Sequence, residues 1–270
     1  MIWPRSLILV GCGKMGGALL RGWLAGGLPA SALAVVDPAP AVDIVELAKA
    51  KGFPLSPTPG MKPEVLALAV KPQMLDAAAP SVRAFANEET LVVSIIAGKK
   101  IADLQSRFPM ARAFVRAMPN TPAAVGRGVT AAAANAATSP RQKAIAATLL
   151  SAVGLFDWLP DESLIDAVTA LSGSGPAYVF ALVEALAEAG VALGLPPALA
   201  MRFARGVVEG AGELLTREPG APAAELRRNV TSPGGTTAAA LAVLQGQDGL
   251  ADLMAKAVAA AHKRAGELAG

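Results

Sequence analysis

Residues 7–16 read LILVGCGKMG, an apolar run followed by three glycines in the spacing GxGxxG. A short apolar run that ends at a glycine is typical of a buried strand. The next residues, 18–24, have the apolar content of a helix. A strand, a tight glycine turn and a helix in this order predict the first unit of an α/β fold with a parallel sheet.

The same alternation of strand and helix patterns continues to about residue 160. Apolar runs bounded by Gly, Pro, Asp or Asn predict strands at Leu7–Val10, Ala34–Val36, Val65–Val70, Leu91–Ile96, Ala113–Val115 and Val129–Ala132, with Gly154–Trp158 as an edge strand. Beyond Pro160 only helix patterns remain. We therefore expect an N-terminal Rossmann-like, doubly wound sheet over residues 1–160 and an all-α domain over residues 161–270.

Apolar residues at helical spacing predict three helices in the second half of the chain. Their stripes are Tyr178, Leu182, Leu186 and Val191, then Phe203, Val207, Ala211 and Leu214, and finally Leu250, Leu253, Met254, Ala257, Val258 and Ala261. A helical domain of ~110 residues that is rich in Ala and Gly buries a modest area by itself. Either these stripes form an ordinary intrachain core, or a second subunit completes them.

Composition excludes several classes of protein. The chain is 53% hydrophobic and 17% charged, which is typical of a globular protein. Its net charge is only +3 and its basic residues are scattered, so a nucleic-acid partner is not expected. The two longest uncharged stretches, 229–247 and 167–183, contain Pro and Gly, so we expect no membrane span. The N-terminal apolar run is too short for a secretory signal, which predicts a cytoplasmic protein.

The chain has one Cys, one His and one Tyr, which are Cys12, His262 and Tyr178. This excludes a disulfide framework, a Cys/His metal site and a Ser/His or Cys/His nucleophile pair. Short-chain dehydrogenases use Tyr with Lys four residues later, but Leu182 stands at that position. A protonated imine already carries the charge that attracts a hydride, whereas a carbonyl needs a proton donor. An imine substrate therefore suits this sequence better.

The GxGxxG turn predicts a dinucleotide site. Its first glycine permits the tight turn, the second lets pyrophosphate approach the backbone, and the third lets the helix pack on the strand. Asp37 closes the second strand about 20 positions after Gly16, where Asp accepts hydrogen bonds from a ribose 2′-hydroxyl. No Arg follows Asp37 closely, which favours NADH over NADPH. The alternative is that Asp37 and Pro38 only begin a turn.

Two further strands end in residues suited to a ligand at the carboxyl edge of the sheet. Lys71 and Pro72 follow the third strand, where the lysine either contacts pyrophosphate or ribose or is simply solvated. Asn120 lies between two prolines after the fifth strand. Its amide either orients the nicotinamide or caps a turn.

Residues 230–237 read VTSPGGTT and open the helix that runs to Leu244. Backbone N–H groups beside consecutive glycines make a concavity for a small anion such as a carboxylate. One Ser or Thr is enough for a helix cap, whereas this segment has four hydroxyls and two glycines. Residues 171–178, LSGSGPAY, are explained as a helix start with no need for a function.

Five motifs in order, GCGKMG, AVKPQ, RAMPNTP, DAVTALSGSGPAY and VTSPGGTT, resemble pyrroline-5-carboxylate reductase over nearly the whole chain. The resemblance implies a Rossmann domain, a helical dimerisation domain, and reduction of 1-pyrroline-5-carboxylate to L-proline with NADPH or NADH. It also implies a homodimer or a higher homo-oligomer. Members of that family usually use NADPH, whereas Asp37 in this sequence favours NADH.

The resemblance also implies roles for particular residues. Thr237 would be catalytic, through a hydrogen bond to the ring nitrogen. The substrate would be held by Ser232, Gly235, Thr236 and Thr237. The cofactor would be held by Val10, Gly11, Cys12, Gly13, Lys14, Met15, Ala69, Val70, Lys71 and Pro72. To these the residue patterns described above add Asp37 and Asn120. No metal is expected.

Two alternatives stay open at this stage. One is another imine or hydroxyacid reductase of the same build, although neither Lys256 nor Lys263 has the Asn partner that hydroxyacid dehydrogenases commonly use. The other is a non-catalytic sensor that binds a dinucleotide. A sensor has no use for the Gly-Gly-Thr-Thr helix start, so that segment favours an enzyme over a sensor.

Overall fold

The computed structural model describes residues 1–269, and its first part is built on a seven-stranded sheet. The strands are β1 Leu7–Val10, β2 Leu33–Val36, β3 Val65–Leu68, β4 Leu91–Ser94, β5 Ala113–Met118, β6 Gly128–Ala134 and β7 Gly154–Trp158. They lie in the order β2-β1-β3-β4-β5-β6-β7. All neighbours pair in parallel except β5 and β6, which are antiparallel. The predicted fold class is confirmed.

Helices connect the parallel strands, because a parallel pair needs a long crossover. They are α1 Lys14–Ala25, α2 Val42–Lys51, α3 Leu75–Val82, α4 Ile101–Arg107 and α5 Pro140–Ser151. All seven predicted strands are present, five of them with changed ends. The third strand ends at Leu68 and not at Val70, and the fifth extends past Val115 to Met118.

Two apolar clusters cover the two faces of the sheet. Leu7 and Leu9 belong to one cluster and Ile8 and Val10 to the other, because successive side chains of a strand point to opposite faces. In the first cluster the Trp23 indole donates a hydrogen bond to the carbonyl of Leu149 at 2.8 Å. This burial on both faces explains why the strands read as continuous apolar runs.

The chain folds into two compact units. The first unit contains residues 1–174 together with the residues from 262 onward, and the second contains residues 175–261. The first unit continues past residue 160 because α6, Ile165–Val168, packs against β5 and β6. A π-helical turn, Thr169–Gly173, follows α6 and also packs on β6. The predicted boundary at residue 160 concerns functional domains and stays a prediction.

The remaining helices are α7 Gly175–Ala192, α8 Pro197–Arg217, α9 Ala223–Asn229, α10 Thr236–Leu244 and α11 Leu250–Ala269. The buried residues of α7 and α8 are small: Ala187, Ala200 and Ala204. Large apolar side chains are exposed instead, such as Phe180 and Val207 at 63% each. The predicted stripes therefore do not close into an intrachain core, which favours the second of the two interpretations, completion by another subunit.

One segment among the described residues, Glu162–Ala192, is long and apolar enough to cross a membrane by length and composition. Only 6% of its most apolar window is buried. An exposed apolar helix of this kind fits a subunit interface as well as a bilayer. The expectation that the chain has no membrane span stays a prediction.

Candidate functional site

The glycine turn between β1 and α1 is shaped by backbone contacts that exclude side chains. Gly11 has φ +87°, and its N–H donates to the carbonyl of Val36 at 2.8 Å. A Cβ on Gly16 would overlap the carbonyl oxygen of Gly11. At Gly13, by contrast, a Cβ would meet no described atom within 4 Å. The turn thus leaves open space above Gly13 for a group that approaches the backbone.

Helix α1 begins at Lys14, and none of the described side chains caps its N-terminus. The first N–H groups of a helix lack intrahelical partners and carry partial positive charge. An open glycine turn that leads into such an N-terminus binds phosphate groups. The local geometry therefore fits the pyrophosphate of a dinucleotide.

Asp37 lies just beyond β2 and is half-buried. Its Oδ2 accepts a hydrogen bond from the N–H of Cys12 at 2.6 Å, and its Oδ1 accepts one from the N–H of Ala39 at 2.9 Å. These bonds hold a negative charge beside the glycine turn, where a dinucleotide site binds the adenine ribose. The position fits a ribose hydroxyl and disfavours a phosphate.

The cation closest in sequence to this turn is Lys14, and the next is Arg21 of α1. Arg21 forms an ion pair with Asp43 of α2 and also donates to the carbonyl of Gly17 at 3.2 Å. Residues 38–42 between Asp37 and Asp43 contain no Lys or Arg. Since Arg21 is already paired with a carboxylate, it is poorly suited to neutralise an added 2′-phosphate.

A cavity of about 630 Å³ lies at the carboxyl edge of β1, β3, β4 and β5. Residues predicted to hold the cofactor line it: Gly13, Lys14, Met15, Ala69, Val70, Lys71 and Pro72. The structure adds residues that the sequence analysis missed: Ile95, Ala97, Met118 and Pro119. These residues follow or end β4 and β5. The rule that ligands bind at the carboxyl ends of parallel strands would have found them.

Three other residues predicted to contact the cofactor are buried. Val10 ends β1, and Gly11 and Cys12 form the start of the glycine turn. Burial and the nearby Asp37 carboxylate raise the pKa of the Cys12 thiol to about 11. The thiol is therefore protonated at neutral pH, and Cys12 acts here through its backbone.

Asn120 is buried, at 6% exposure, and both ends of its amide are hydrogen-bonded within the protein. Its Nδ2 donates to the carbonyl of Ser172 at 2.9 Å, and its Oδ1 accepts from the N–H of Val129 at 2.8 Å. Through these hydrogen bonds Asn120 holds the loop after β5 against the π-helical turn. The predicted contact between Asn120 and the nicotinamide stays a prediction.

An ion-pair network that the sequence analysis did not single out joins β5 to α6 and to Glu162 just before it. Arg116, 4% exposed, lies 3.1 Å from Glu162 Oε1 and 3.5 Å from Asp166 Oδ1. Glu162 also accepts a hydrogen bond from the N–H of Ile101 at 2.8 Å. The network holds the start of the helical segment on the sheet, and removing one partner would leave a buried charge.

Another cavity, of about 520 Å³, opens at the amino-terminal edge of the sheet. There burial tends to raise the pKa of Glu64, but hydrogen bonds from the Arg5 backbone and the Arg141 side chain outweigh it and lower the pKa. Arg141 lies 2.8 Å from Glu64. Arg5 and Arg141 both pair with Glu64 in this cavity, and none of the predicted site residues lines it.

The second glycine-rich turn leads into α10. Gly234 has φ +67°, and Gly235 is the N-cap residue, with no cap from any described side chain. A Cβ on Gly235 would overlap the hydroxyl oxygen of Ser232. The left-handed conformation therefore favours glycine at 234, and a side chain at 235 would have to displace the Ser232 hydroxyl.

The structure separates the four hydroxyls of this turn. Thr231 Oγ1 donates to the carbonyl of Arg227 at 2.6 Å, which is a structural bond. Within residues 1–269 no protein hydrogen bond is made by the hydroxyls of Ser232, Thr236 and Thr237. Unpaired hydroxyls beside an uncapped helix N-terminus are suited to bind a small polar anion.

Comparison with known proteins gives two family matches. Residues 162–268 match the family described as pyrroline-5-carboxylate reductase dimerisation. Residues 6–98 match the family described as NADP oxidoreductase, coenzyme F420-dependent. The first match begins close to the predicted boundary at residue 160, and the second covers the glycine turn and Lys71.

Curated relatives match along most of the chain. The pyrroline-5-carboxylate reductase of Pseudomonas aeruginosa is 40% identical, covering 100% of this chain and 98% of the relative. That of Synechocystis sp. is 49% identical over 76% of this chain and 75% of the relative.

Solved structures agree. A pyrroline-5-carboxylate reductase from Coxiella burnetii is 33% identical, with a TM-score of 0.89 over 98% of this chain and 99% of that chain. The Plasmodium falciparum pyrroline carboxylate reductase, solved with NADP bound, is 26% identical, with a TM-score of 0.81 over 98% of both chains.

Proposed function

This chain belongs to the pyrroline-5-carboxylate reductase family, and we propose that it reduces the cyclic imine 1-pyrroline-5-carboxylate to L-proline with NAD(P)H. The observation that carries the proposal is the start of α10, where three hydroxyls and an uncapped helix N-terminus lack protein partners. Such a group of donors fits a substrate with a carboxylate beside a polar ring nitrogen.

The cofactor side of the proposal rests on the cavity at the carboxyl edge of the sheet. The α1 N-terminus above Gly13 would hold the pyrophosphate, and Asp37 would accept hydrogen bonds from the adenine ribose. Lys71 and the strand ends that line the cavity would hold the rest of the dinucleotide. When bound, NAD(P)H supplies a hydride to the imine carbon.

The substrate side assigns the proton. The Thr237 hydroxyl oxygen would accept a hydrogen bond from the protonated imine nitrogen. The proton would stay on that nitrogen and become the N–H of proline. Backbone N–H groups at Gly235 and Thr236 and the Ser232 hydroxyl would hold the carboxylate. The protein then works by orienting a charged imine and needs no general acid.

The small number of side chains that could act as a general acid favours an imine substrate over a 2-keto acid. The sole cysteine is buried with a raised pKa, and the sole histidine, His262, lies on α11 outside the turns described above. A keto acid would need a donor for the developing alkoxide. An imine or hydroxyacid reductase of the same build, or a dinucleotide sensor, are the alternatives that the assay below must separate.

For the cofactor we propose either NADPH or NADH, with Asp37 as the residue that shifts the balance toward NADH. Its carboxylate is fixed by hydrogen bonds to two backbone N–H groups, and the neighbouring Arg21 is paired with Asp43. A 2′-phosphate placed beside Asp37 would meet a negative charge with no free arginine between residues 38 and 42.

We further propose a homodimer or a larger homo-oligomer that works in the cytoplasm without nucleic acid or membrane. The dimerisation family match over residues 162–268 supports association between copies. So do the exposed apolar side chains of α7 and α8, which a monomer would leave in water.

The test is oxidation of NADH and of NADPH by the purified protein with 1-pyrroline-5-carboxylate, followed by cofactor absorbance and by the amount of proline formed. We expect proline in equal amount to oxidised cofactor. Turnover of a related cyclic imine or a 2-keto acid in preference would favour the first alternative. Cofactor binding without turnover of any of these substrates would favour the sensor.

A further inference from the structure

The π-helical turn Thr169–Gly173 is fixed to the cofactor half of the molecule. Asn120 donates from Nδ2 to the carbonyl of Ser172 at 2.9 Å, and its Oδ1 is held by the N–H of Val129 at 2.8 Å. The amide is buried, so these bonds are protected from water. The backbone at 172–173 therefore has a defined position against the loop that follows β5.

Gly173 in this turn lies against Met118, the last residue of β5. A Cβ on Gly173 would be 2.7 Å from Met118 Cε, closer than real Cβ contacts allow. The φ angle of Gly173 is not in the left-handed region, so its backbone conformation does not require glycine. Any side chain at this position would have to displace the Met118 methyl group, which occupies its space.

Met118 also lines the 630 Å³ cavity, together with Pro119, Ile95 and Ala97. The strand order β2-β1-β3-β4-β5 puts this part of the cavity on the far side of the glycine turn from Asp37. A dinucleotide with its adenine ribose at Asp37 and its pyrophosphate at Gly13 would extend its nicotinamide half toward β4 and β5. Met118 thus stands at the nicotinamide end.

We propose that Gly173, held in place by Asn120, is a positioning residue that seats the Met118 side chain and so sets the width of the cavity at its nicotinamide end. This inference rests on the proposed binding of NAD(P)H in that cavity. It gives a role to the glycine of the LSGSGPAY segment, which the sequence pattern alone explains as a helix start.

The test is a titration of NADH onto Gly173→Ala without substrate, followed by cofactor fluorescence. The added methyl must displace Met118 Cε, the end of a flexible side chain, so the fold should survive. The open space beside Met118 is the cavity, and we expect the displaced methyl to weaken NADH binding about tenfold. Thermal unfolding, measured in parallel, should change little.

Two further variants make the test specific. In Met118→Ala the thioether is gone, so adding Gly173→Ala should produce no further loss of NADH affinity. The matched control is Gly175→Ala in the same segment, where a Cβ would meet no described atom within 4 Å. We expect wild-type NADH affinity for this control.

Each outcome decides something. Unchanged NADH affinity in Gly173→Ala would overturn the inference, as would an equal loss in Gly175→Ala or a loss that persists in full on the Met118→Ala background. If the wild-type protein binds neither NADH nor NADPH, the proposed function fails first, and this result is distinct from the failure of Gly173 alone.

Discussion

The turn before α1 and the turn before α10 are both rich in glycine, and both precede a helix N-terminus that no described side chain caps. The first turn is held through two of its backbone N–H groups: that of Gly11 donates to the carbonyl of Val36, and that of Cys12 donates to the Asp37 carboxylate. The second turn keeps three hydroxyls without protein partners, including that of Thr237.

This difference separates two ways to bind an anion. The first turn offers backbone N–H groups in a shape fixed by hydrogen bonds, which suits a phosphate present in every dinucleotide. The second adds side-chain hydroxyls, which can recognise one particular small molecule. Substitutions should therefore act through steric overlap in the first turn and through lost hydrogen bonds in the second.

The largest effect is expected at Gly16. In Gly16→Ala the Cβ overlaps the backbone oxygen of Gly11, which cannot move aside as a flexible side chain can. We expect a loss of about 3 kcal/mol in the free energy of unfolding and at least about 100-fold weaker NADH binding. Urea unfolding and NADH titration measure the two effects.

Gly13→Ala is the matched control for that substitution. Its Cβ points into open space, so the free energy of unfolding should stay within about 0.5 kcal/mol of wild type while NADH binding still falls. Equal destabilisation of the two variants would show that backbone overlap does not shape the turn.

A smaller effect is expected at Thr237 in the second turn. Thr237→Ala removes one hydrogen bond to a charged group, roughly 1.5–3 kcal/mol, so kcat/KM for the imine should fall about 10- to 100-fold. NADH affinity should stay the same. Steady-state kinetics and an NADH titration give both numbers.

Two variants control this experiment. Thr237→Ser keeps the hydroxyl and should recover most of the activity. Thr231→Ala removes the hydroxyl that bonds to the Arg227 carbonyl, and it should cost about 1 kcal/mol of stability with little change in kcat/KM. An unchanged rate in Thr237→Ala would remove this residue from the mechanism.

The smallest effect concerns the charge beside the first turn. Asp37→Asn removes the negative charge but keeps an oxygen that can accept from the Cys12 N–H at nearly the same place. We expect the ratio of NADPH to NADH affinity to rise about five- to tenfold, which corresponds to ~1 kcal/mol of relieved repulsion. Fluorescence titration with each cofactor measures it.

The outcome at Asp37 also bears on the comparison of the two turns. If the ratio of affinities does not change, Asp37 serves only to hold the glycine turn and does not face the ribose. A fall in affinity for both cofactors together would point to the same conclusion, because it would reflect a loosened turn.

Much of the sheet could be predicted from the sequence, because a strand that is buried on both faces has a continuous run of apolar residues. Leu7–Val10 and Gly154–Trp158 have the predicted ends. The third strand ends two residues before its apolar run does, and those two residues, Ala69 and Val70, line the cavity. An apolar residue at the edge of a sheet can face either a core or a ligand, and its sequence is the same in both cases.

The helical half was less predictable. Stripes such as Leu182 and Leu186 have the spacing of an intrachain core but are 48% and 41% exposed in the chain. A hydrophobic pattern states that a face must be covered, but not by which chain. The compact first unit extends past residue 160 to Ser174, where Arg116 ties the segment around Glu162 to the sheet.

The sequence by itself determined the α/β class, the glycine turn with Asp37 and the glycine-rich start of α10, because spacing and turn chemistry are local properties of the chain. Only the tertiary structure decided that Asn120 clamps Ser172 and that Met118 rests on Gly173. Each of these contacts joins residues more than 50 positions apart. Their approach depends on how α6 and the π-helical turn pack on the sheet, which no local pattern encodes.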